Sequence, residues 1–310
     1  MTGGAGFIGA NFVLDWVANT DEKIVNLDKL TYAGNLANNE DVADKPNYHF
    51  IKADITDADH IDSLFAEHKF DGVLHLAAES HVDRSISDPL AFVKTNVIGT
   101  VNLLQAAKKH WAGHFEGKKF YHISTDEVYG DRLINGKLVL ATEDSNLHGS
   151  SYYSSSKIGS DMIVEAAGRT FGLPYIITRT CNNFGENQHP EKMLPKIIQC
   201  IKNGETIPVY GDGEQVREWI HADDNSQAIY NLLMSDIKNE VFNIGSGYRI
   251  TNNQLIAKVG EVIGNTPEYE YVKDRLGHDR MYGLHCEKYI EKFGPITTIT
   301  LEAWLKKMLS

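Results

Sequence analysis

Residues 3–9 read Gly-Gly-Ala-Gly-Phe-Ile-Gly, and four glycines in seven positions leave few structures open to the chain that follows. The spacing fits GxGxxG from Gly4 and GxxGxxG from Gly3. Glycines at these intervals permit a tight turn and a close backbone approach to a pyrophosphate at a helix N-terminus. Alone the run is a weak signal, since a glycine turn precedes many helices. Its context is stronger. Phe7 onward has the apolar spacing of an amphipathic helix over 7–19, the run Lys23–Asp28 follows as a strand, and Asp28 lies 19 residues after Gly9. An acid at roughly 20 residues is the expected partner of ribose hydroxyls, and its charge repels a 2′-phosphate, so NAD is favoured over its phosphorylated form.

The first half of the chain continues that rhythm. Helical spacing over 7–19, 57–68, 88–110 and 152–172 alternates with the short apolar runs Lys23–Asp28, Tyr48–Ala53, Gly72–Leu76, Lys119–Ser124 and Pro174–Arg179. Such alternation predicts an α/β fold, a Rossmann-like doubly wound parallel sheet covered on both faces. After about residue 180 the pieces shorten, with helices expected near 191–203, 223–235 and 252–263. This gives a dinucleotide domain over 1–180, to which residues 206–240 may be added as a return, and a smaller α/β substrate lobe over 181–310. No repeat or linker separates the two. The glycine fingerprint should follow a first strand, yet only Met1 and Thr2 precede it. That strand, the centre of the sheet, is expected to be missing. Its neighbours would then lack ladder bonds and apolar cover.

Composition narrows the function classes. Thirty Lys and Arg against 42 Asp and Glu give a formal charge of −12, the wrong sign for sequence-independent nucleic-acid binding. An anionic ligand must be held by a local site against that field. The three cysteines, Cys181, Cys200 and Cys286, have neither disulfide-framework nor zinc spacing and suit a reducing, cytoplasmic setting. No apolar run reaches the length of a membrane helix and the first residues do not read as a signal peptide. His110 and His114 stand at i, i+4 but lack the acid and third ligand of a zinc site, so no metal is expected.

Two further motifs carry chemistry. Tyr153-Ser154-Ser155-Ser156-Lys157 is YxxxK, which on a helix places a phenol and an ammonium on one face, one turn apart. An ammonium nearby lowers a phenol's pKa and makes it a workable base. A surface Tyr and Lys on a helix would read the same. Ser124-Thr125-Asp126-Glu127 ends a strand on the carboxyl edge, where such sheets bind ligands. Two carboxylates in different environments can supply one acid and one base. A solvated Asp-Glu turn is the commoner fate of such a pair. Its position between the glycine fingerprint and YxxxK favours chemistry.

With these residues in view, the chain resembles the extended short-chain dehydrogenase/reductases and, within them, the dTDP-glucose 4,6-dehydratases. The matching stretches include TGGAGFIG (2–9), LDKLTYAGN (27–35), LHLAAESHVDRSI (74–86), STDEVYG (124–130), YSSSK (153–157), NNFG (182–185), PEKMLP (190–195), VYGDGEQVREWIHADD (209–224) and DRLGHDR (274–280), in one order across nearly the whole chain. The resemblance implies that Tyr153 takes the proton of the sugar 4-hydroxyl, Thr125 bonds that oxygen, and Lys157 holds the tyrosine and the nicotinamide ribose. Glu127 then removes the C5 proton and Asp126 protonates the departing 6-hydroxyl. NAD takes the C4 hydride and returns it to C6, so it serves as a bound catalyst. A 4-epimerase needs Tyr153 and Lys157 but not the acidic pair.

The resemblance also implies binding residues. The cofactor is expected at Gly3, Gly6, Phe7, Ile8 and Gly9, at Asp28, Lys29, Thr31, Ala33 and Gly34, at Asp54 and Ile55 by the adenine, and at Leu76, Ala77, Ala78, Ser80, Thr95, Tyr153, Lys157 and Asn183 toward the nicotinamide. The sugar nucleotide is expected at Ser80, Thr125, Asn182, Lys192, Met193, Pro208, Val209, Tyr210, Arg217, Asn243, Asp274, Arg275 and His278, with Arg217 on the diphosphate because its planar fork suits phosphate oxygens. His81-Val82-Asp83-Arg84 has the look of a catalytic cluster but reads as a structural turn near a dimer face. A homodimer through helices near 88–110 and 152–172, and rhamnose supply downstream, are further family-level expectations.

The chain departs from the family pattern at Ser151-Tyr152, where Ser-Pro is usual, and at Thr180-Cys181, where Cys-Ser is usual. The first departure is expected to loosen the approach to Tyr153. Other readings are a UDP-glucose 4,6-dehydratase, a UDP-glucuronate decarboxylase, whose strand-end run usually lacks the Asp, or a non-catalytic NAD-binding paralogue.

Overall fold

A computed structural model describes residues 1–296 and 299–309. The strands Ile24–Asp28 (β1), Tyr48–Lys52 (β2), Gly72–His75 (β3), Lys119–Thr125 (β4) and Tyr175–Thr180 (β5) fall within a residue or two of the expected runs. Each is short and β-branched or aromatic, and all but β2, the edge strand, are mostly buried, as strands covered on both faces must be. The helices Phe7–Asn19 (α1), Ala58–His68 (α2), Thr100–Trp111 (α4) and Tyr152–Phe171 (α5) connect them. All pairings in the main sheet are parallel.

The centre of the sheet is where sequence and structure differ in an instructive way. No regular strand precedes the glycine loop among the described residues, but the slot is filled at its carboxyl end. Thr2 bridges Leu27 of β1 on one side and His75 of β3 on the other, both in parallel sense. Its N–H donates to the Leu74 carbonyl at 2.9 Å and its carbonyl accepts from Leu76 N at 3.1 Å. Met1 O accepts from Leu27 N and Gly3 N donates to Leu27 O, each at 2.8 Å. The order across the sheet is therefore β2, β1, Met1–Gly3, β3, β4, β5, and then Glu240–Ile244, which returns from the C-terminal half. The side chain of Thr2 adds a further tie. Its Oγ1 lies 2.8 Å from His75 Nδ1, while His75 Nε2 lies 3.0 Å from Thr100 Oγ1.

The segment expected as one helix over 88–110 is helical throughout from Pro89 to Trp111, but its turns widen in the middle. A short turn Pro89–Phe92 leads into wide π-type turns over Val93–Gly99, and only then does α4 begin. Wide turns of this kind recur at functional sites. Here they direct Asn96 inward, where its amide accepts from Glu79 N at 2.8 Å and donates to Ser156 Oγ at 2.8 Å. Asn96 thereby joins the loop after β3 to α5.

Three apolar cores form. Phe12 and Val13 of α1 meet Ile229 and Leu232 of the helix Ala222–Met234 over one face of the sheet. Ile61, Leu64 and Phe65 of α2 meet Leu103 and Leu104 of α4 and Val164 of α5 over the other. The third core lies away from the sheet, among Met193–Asn203 (α6), Asn252–Ile263 and Leu301–Leu309, and buries Ile197, Trp219, Leu255 and Trp304. In this region Asn182–Phe184 (β6) runs parallel to Val216–His221, and Ile207–Tyr210 (β7) runs parallel to Tyr269–Val272. No helix among the described residues is long and apolar enough to cross a membrane.

The Thr2 hydroxyl yields a direct test. Thr2→Val keeps its shape and leaves buried His75 Nδ1 without a partner, which should cost about 1–3 kcal/mol of unfolding free energy. Urea denaturation at matched m-values would measure it. A loss below about 0.5 kcal/mol, the level of a neutral surface change, would remove His75 from this role.

Candidate functional site

The main cavity opens along the carboxyl ends of β1, β3, β4, β5 and β6, where strand order reverses about the Met1–Gly3 slot. Its volume, about 340 Å³, lies within the range of small-molecule and cofactor sites. The glycine loop forms one wall. Gly3 has φ +76°, a conformation open to glycine and strained for other residues. A Cβ on Gly9 would collide with the Gly3 carbonyl, so α1 can pack this close to the loop only with glycine there. Gly6 is the N-cap of α1 and offers no side chain to the first-turn amides. They are left for an anion, which the helix dipole also favours.

Asp28 ends β1 beside this loop. Its carboxylate accepts from Ala5 N at 3.0 Å and Leu30 N at 2.8 Å, which fixes it toward the cavity with lone pairs to spare. Lys29 pairs with Asp54 at 2.6 Å across the next loop. The cradle of glycines, the uncapped helix and the fixed carboxylate together fit a dinucleotide. Every residue expected at the cofactor lines this one cavity: Gly3, Gly6, Phe7, Ile8, Gly9, Asp28, Lys29, Thr31, Ala33, Gly34, Asp54, Ile55, Leu76, Ala77, Ala78, Ser80, Thr95, Tyr153, Lys157 and Asn183.

The chemical residues converge from two elements. Thr125 ends β4, and Asp126–Tyr129 form a single 3-10 turn whose first N–H groups are capped by the Thr125 hydroxyl, 3.3 Å from Glu127 N. Tyr153 and Lys157 stand one turn apart at the start of α5. That helix start is fixed without the usual proline. Ser151 and Ser154 cap one another through side chain and backbone, each bond at 3.0 Å. Thr125 hydrogen-bonds the Tyr153 phenol, and Phe92 packs edge-on against its ring.

Electrostatics separate the two carboxyls. Burial pushes Asp126 well above the usual carboxylate range, and the charges of Glu127 and Glu218 push the same way. Its Oδ2 is buried with no hydrogen-bond partner, the environment of a carboxylic acid rather than a carboxylate. Burial also raises Glu127, but the positive charges of Arg217, Arg275 and Lys192 oppose the shift. One member thus suits an acid and the other a base. Tyr153 behaves differently from the sequence expectation. Burial, then the charge of Glu127, holds its phenol above the ordinary value, with Thr125 opposing. The Lys157 ammonium donates to the Ile123 carbonyl at 2.6 Å, and burial draws it down to about 8 against the charge of Asp161.

The residues expected at the sugar nucleotide are more dispersed. Ser80, Thr125, Asn182 and Lys192 line the cavity. Lys192 reaches the Ser80 carbonyl at 3.2 Å, and Met193 opens α6 beside it. Pro208, Val209 and Tyr210 belong to β7, with Val209 turned into the third core. Tyr210 meets the ring of His278 edge-on, and His278 lies 2.7 Å from Asp274, beside Arg275, which reaches Asp83 at 3.6 Å. This is a second cluster, outside the cavity wall. Arg217 is buried and gives donors to the carbonyls of Val216 and Asp279 at 2.8 and 2.9 Å rather than to open space. Asn243 is buried against Tyr129, Ala141 and His285. Glu79, Cys181, Gln188 and His189 also line the cavity. Glu79 lies within the stretch 74–86 that carries the family resemblance, and Cys181 directly precedes the stretch 182–185. Gln188 and His189 sit in a loop with no periodicity or motif to mark them.

Among the described residues there is no group of three or more His, Cys, Asp or Glu that could hold a metal, and the three cysteines are free and buried.

Comparison with known proteins places this geometry. A family model described as GDP-mannose 4,6 dehydratase matches residues 1–308. The dTDP-glucose 4,6-dehydratase of Shigella flexneri is 42% identical over 325 aligned positions, covering 99% of this chain and 90% of that protein. The low-salt glycan biosynthesis protein Agl12 of Haloferax volcanii is 47% identical, covering 93% and 90%. Among solved structures, DesIV of Streptomyces venezuelae, a dTDP-glucose 4,6-dehydratase with NAD bound, superposes with TM-score 0.92 at 39% identity, covering 99% and 94%. A UDP-glucose 4-epimerase of Thermotoga maritima with UDP-glucose superposes at 0.88 and 33% identity, covering 98% and 95%. With a full-length match and relatives this similar over their whole length, the chain belongs to the GDP-mannose 4,6 dehydratase family, within the extended short-chain dehydrogenase/reductases.

Proposed function

We propose that this chain is a dTDP-glucose 4,6-dehydratase, an NAD-dependent hydro-lyase that forms dTDP-4-keto-6-deoxyglucose and water. The observation that carries the reading is the pair Asp126–Glu127, buried beside Tyr153 in the cavity that holds the glycine cradle. Fold alone does not choose between activities, since a 4-epimerase superposes nearly as well as a dehydratase. Elimination needs an acid and a base at adjacent carbons, and this pair supplies both. The full-length similarity to several dTDP-glucose 4,6-dehydratases supports the same substrate.

NAD, when bound, supplies a hydride acceptor and, in its oxidised form, a positive ring charge near Tyr153. Tyr153 takes the proton of the 4-hydroxyl while Thr125 holds the same oxygen. The phenol is raised by burial, so its anion depends on positive charge close by, and Lys157 one turn away contributes it. Once C4 is a ketone, the C5 proton is acidic and Glu127 removes it. Asp126, kept protonated by its surroundings, gives its proton to the departing 6-hydroxyl, which leaves as water; C6 then regains the hydride lost from C4 and C5 is reprotonated, giving the 4-keto-6-deoxy sugar. Residues 1–180 then serve mainly the dinucleotide and 181–310 the sugar nucleotide. The cluster Tyr210, Asp274, Arg275 and His278 extends the substrate path outward from the cavity.

Pairing of two copies fits the exposed apolar side chains Leu90, Val93 and Ile98 on the turns before α4, with Tyr152 and Met162 on α5. A homodimer through this face, acting in the cytoplasm on the route to rhamnose, completes the reading. Light scattering that returns the mass of one chain at micromolar concentration would remove the dimer.

Incubation with dTDP-glucose and NAD should give the 4-keto product, with UDP-glucose run beside it to fix the base. No product from folded protein sinks the reading. Tyr153→Phe should abolish the first oxidation, lowering kcat by about 10²-fold or more. Asp126→Asn with Glu127→Gln should still build up near-ultraviolet absorbance of reduced nicotinamide while releasing no dehydrated sugar. Normal dehydration by that double variant would reassign the roles.

The pH dependence has a definite sign. Rising pH removes the proton of Asp126 and, through about 8, the charge of Lys157, so both changes lower activity on the alkaline side. Falling pH protonates Glu127, whose raised pKa brings the acid limb closer to neutrality. A plot of kcat against pH should be bell-shaped. A profile that stays flat from about pH 7 to about pH 10 would contradict the role given to Lys157.

A further inference from the structure

The run His81–Arg84 remains unused by this chemistry, and the structure shows it at the mouth of the cavity. Arg84 lies in the short helix Val82–Ser87, just past the loop 76–80 that follows β3 and lines the cavity. Its guanidinium carbon stands 3.6 Å over the ring centroid of Tyr32. Its Nη2 lies 2.7 Å from Glu191 Oε1. The Tyr32 ring meets His189 edge-on, with centroids 5.7 Å apart. His81 Nε2 adds a longer approach to Glu191, at 3.8 Å.

The partners of Arg84 come from two other loops that help wall the cavity. Tyr32 stands between lining residues Thr31 and Ala33, in the loop after β1. Glu191 stands between lining residues His189 and Lys192, in the loop after β6. Tyr32, Arg84 and Glu191 are not themselves in the lining. They tie the loops together on the outer side while the neighbours of each face inward. Arg84 and Glu191 remain 42% and 41% exposed, where a lone ion pair adds little to global stability. A planar guanidinium that stacks on one loop and hydrogen-bonds another instead resists the separation of those loops, a local opening.

We propose that Tyr32, Arg84 and Glu191 form a clamp that holds the three loops over the dinucleotide and keeps NAD on the protein between turnovers. The inference rests on the reading above, in which NAD is regenerated in each cycle. A cofactor that left after taking the hydride would strand a keto sugar without its reductant, so slow release is part of the reaction. The three are positioning residues and touch neither the sugar nor the reacting atoms.

The test is the release rate of NAD from purified holoprotein, followed on dilution into an enzyme that consumes free NAD. Arg84→Ala should release NAD about tenfold faster than the unaltered protein. Glu191→Gln should release it faster by a smaller factor. Arg84→Lys, which keeps the charge and loses the planar stack, should fall between Arg84→Ala and the unaltered protein. With saturating NAD present, kcat should stay near its original value in all three. Without added NAD, progress curves of Arg84→Ala should decay early. Equal release from Arg84→Ala and the unaltered protein overturns the clamp. So does a fall in the melting temperature of the NAD-free variant, because the residue would then be holding the fold. Protein that retains NAD in the expected order yet never dehydrates dTDP-glucose leaves the clamp standing and overturns the function assigned above.

Discussion

The whole site hangs from the backbone of Thr2. Thr2 hydrogen-bonds the β3 side through Leu74 and Leu76 while its neighbours Met1 and Gly3 bond Leu27 of β1, so this short segment makes one sheet of what would otherwise be two pieces. The glycine loop leaves the sheet directly after it. The distances among Gly3, Asp28 and Ala77 follow from this pairing, because a parallel ladder fixes the spacing of its neighbours at ~4.8 Å. His75 reinforces the junction by bonding hydroxyls on both sides, Thr2 in the sheet and Thr100 at the start of α4. Without this crossing, the dinucleotide wall and the chemical wall would have no fixed relation.

Burial is the second constraint, and it acts on the chemistry. Tyr153, Asp126 and Lys157 are almost wholly covered, and each is pushed toward its neutral form. For Asp126 the push serves the reaction, since a neutral carboxyl can donate a proton. For Tyr153 it works against the first step and places a demand on nearby positive charge. The same low-dielectric pocket that makes a proton donor of one residue makes another depend on its neighbours for its anion.

Much of this was legible in the sequence because it rests on local rules. The helix over 7–19, the end of β1 at Asp28 and the turn at Thr125-Asp126-Glu127 each follow from spacing, β-branching and capping within a few residues. The cofactor residues were legible through motif order, and all of them meet in one cavity. The helix expected over 88–110 forms, but its middle is widened into π-type turns for a nonlocal reason. Its wide turns let Asn96 bind the backbone of Glu79, a partner 17 residues away that helical periodicity cannot reveal. At Ser151, where the family pattern has a proline beside it, a serine pair caps α5 in both directions.

The amino-acid sequence by itself determined the alternating fold, the dinucleotide fingerprint and the residues proposed for the chemistry, since these depend on residue type and short spacing. Tertiary structure decided the rest. It set how many positive charges act on each carboxyl of the Asp126–Glu127 pair, turned Arg217 toward backbone carbonyls, and brought Tyr32, Arg84 and Glu191 together from three loops. It also showed that Met1–Gly3 suffice to bridge the sheet at its centre. Each of these depends on groups far apart in the chain and on the water that packing excludes between them, and neither is written in any short stretch of residues.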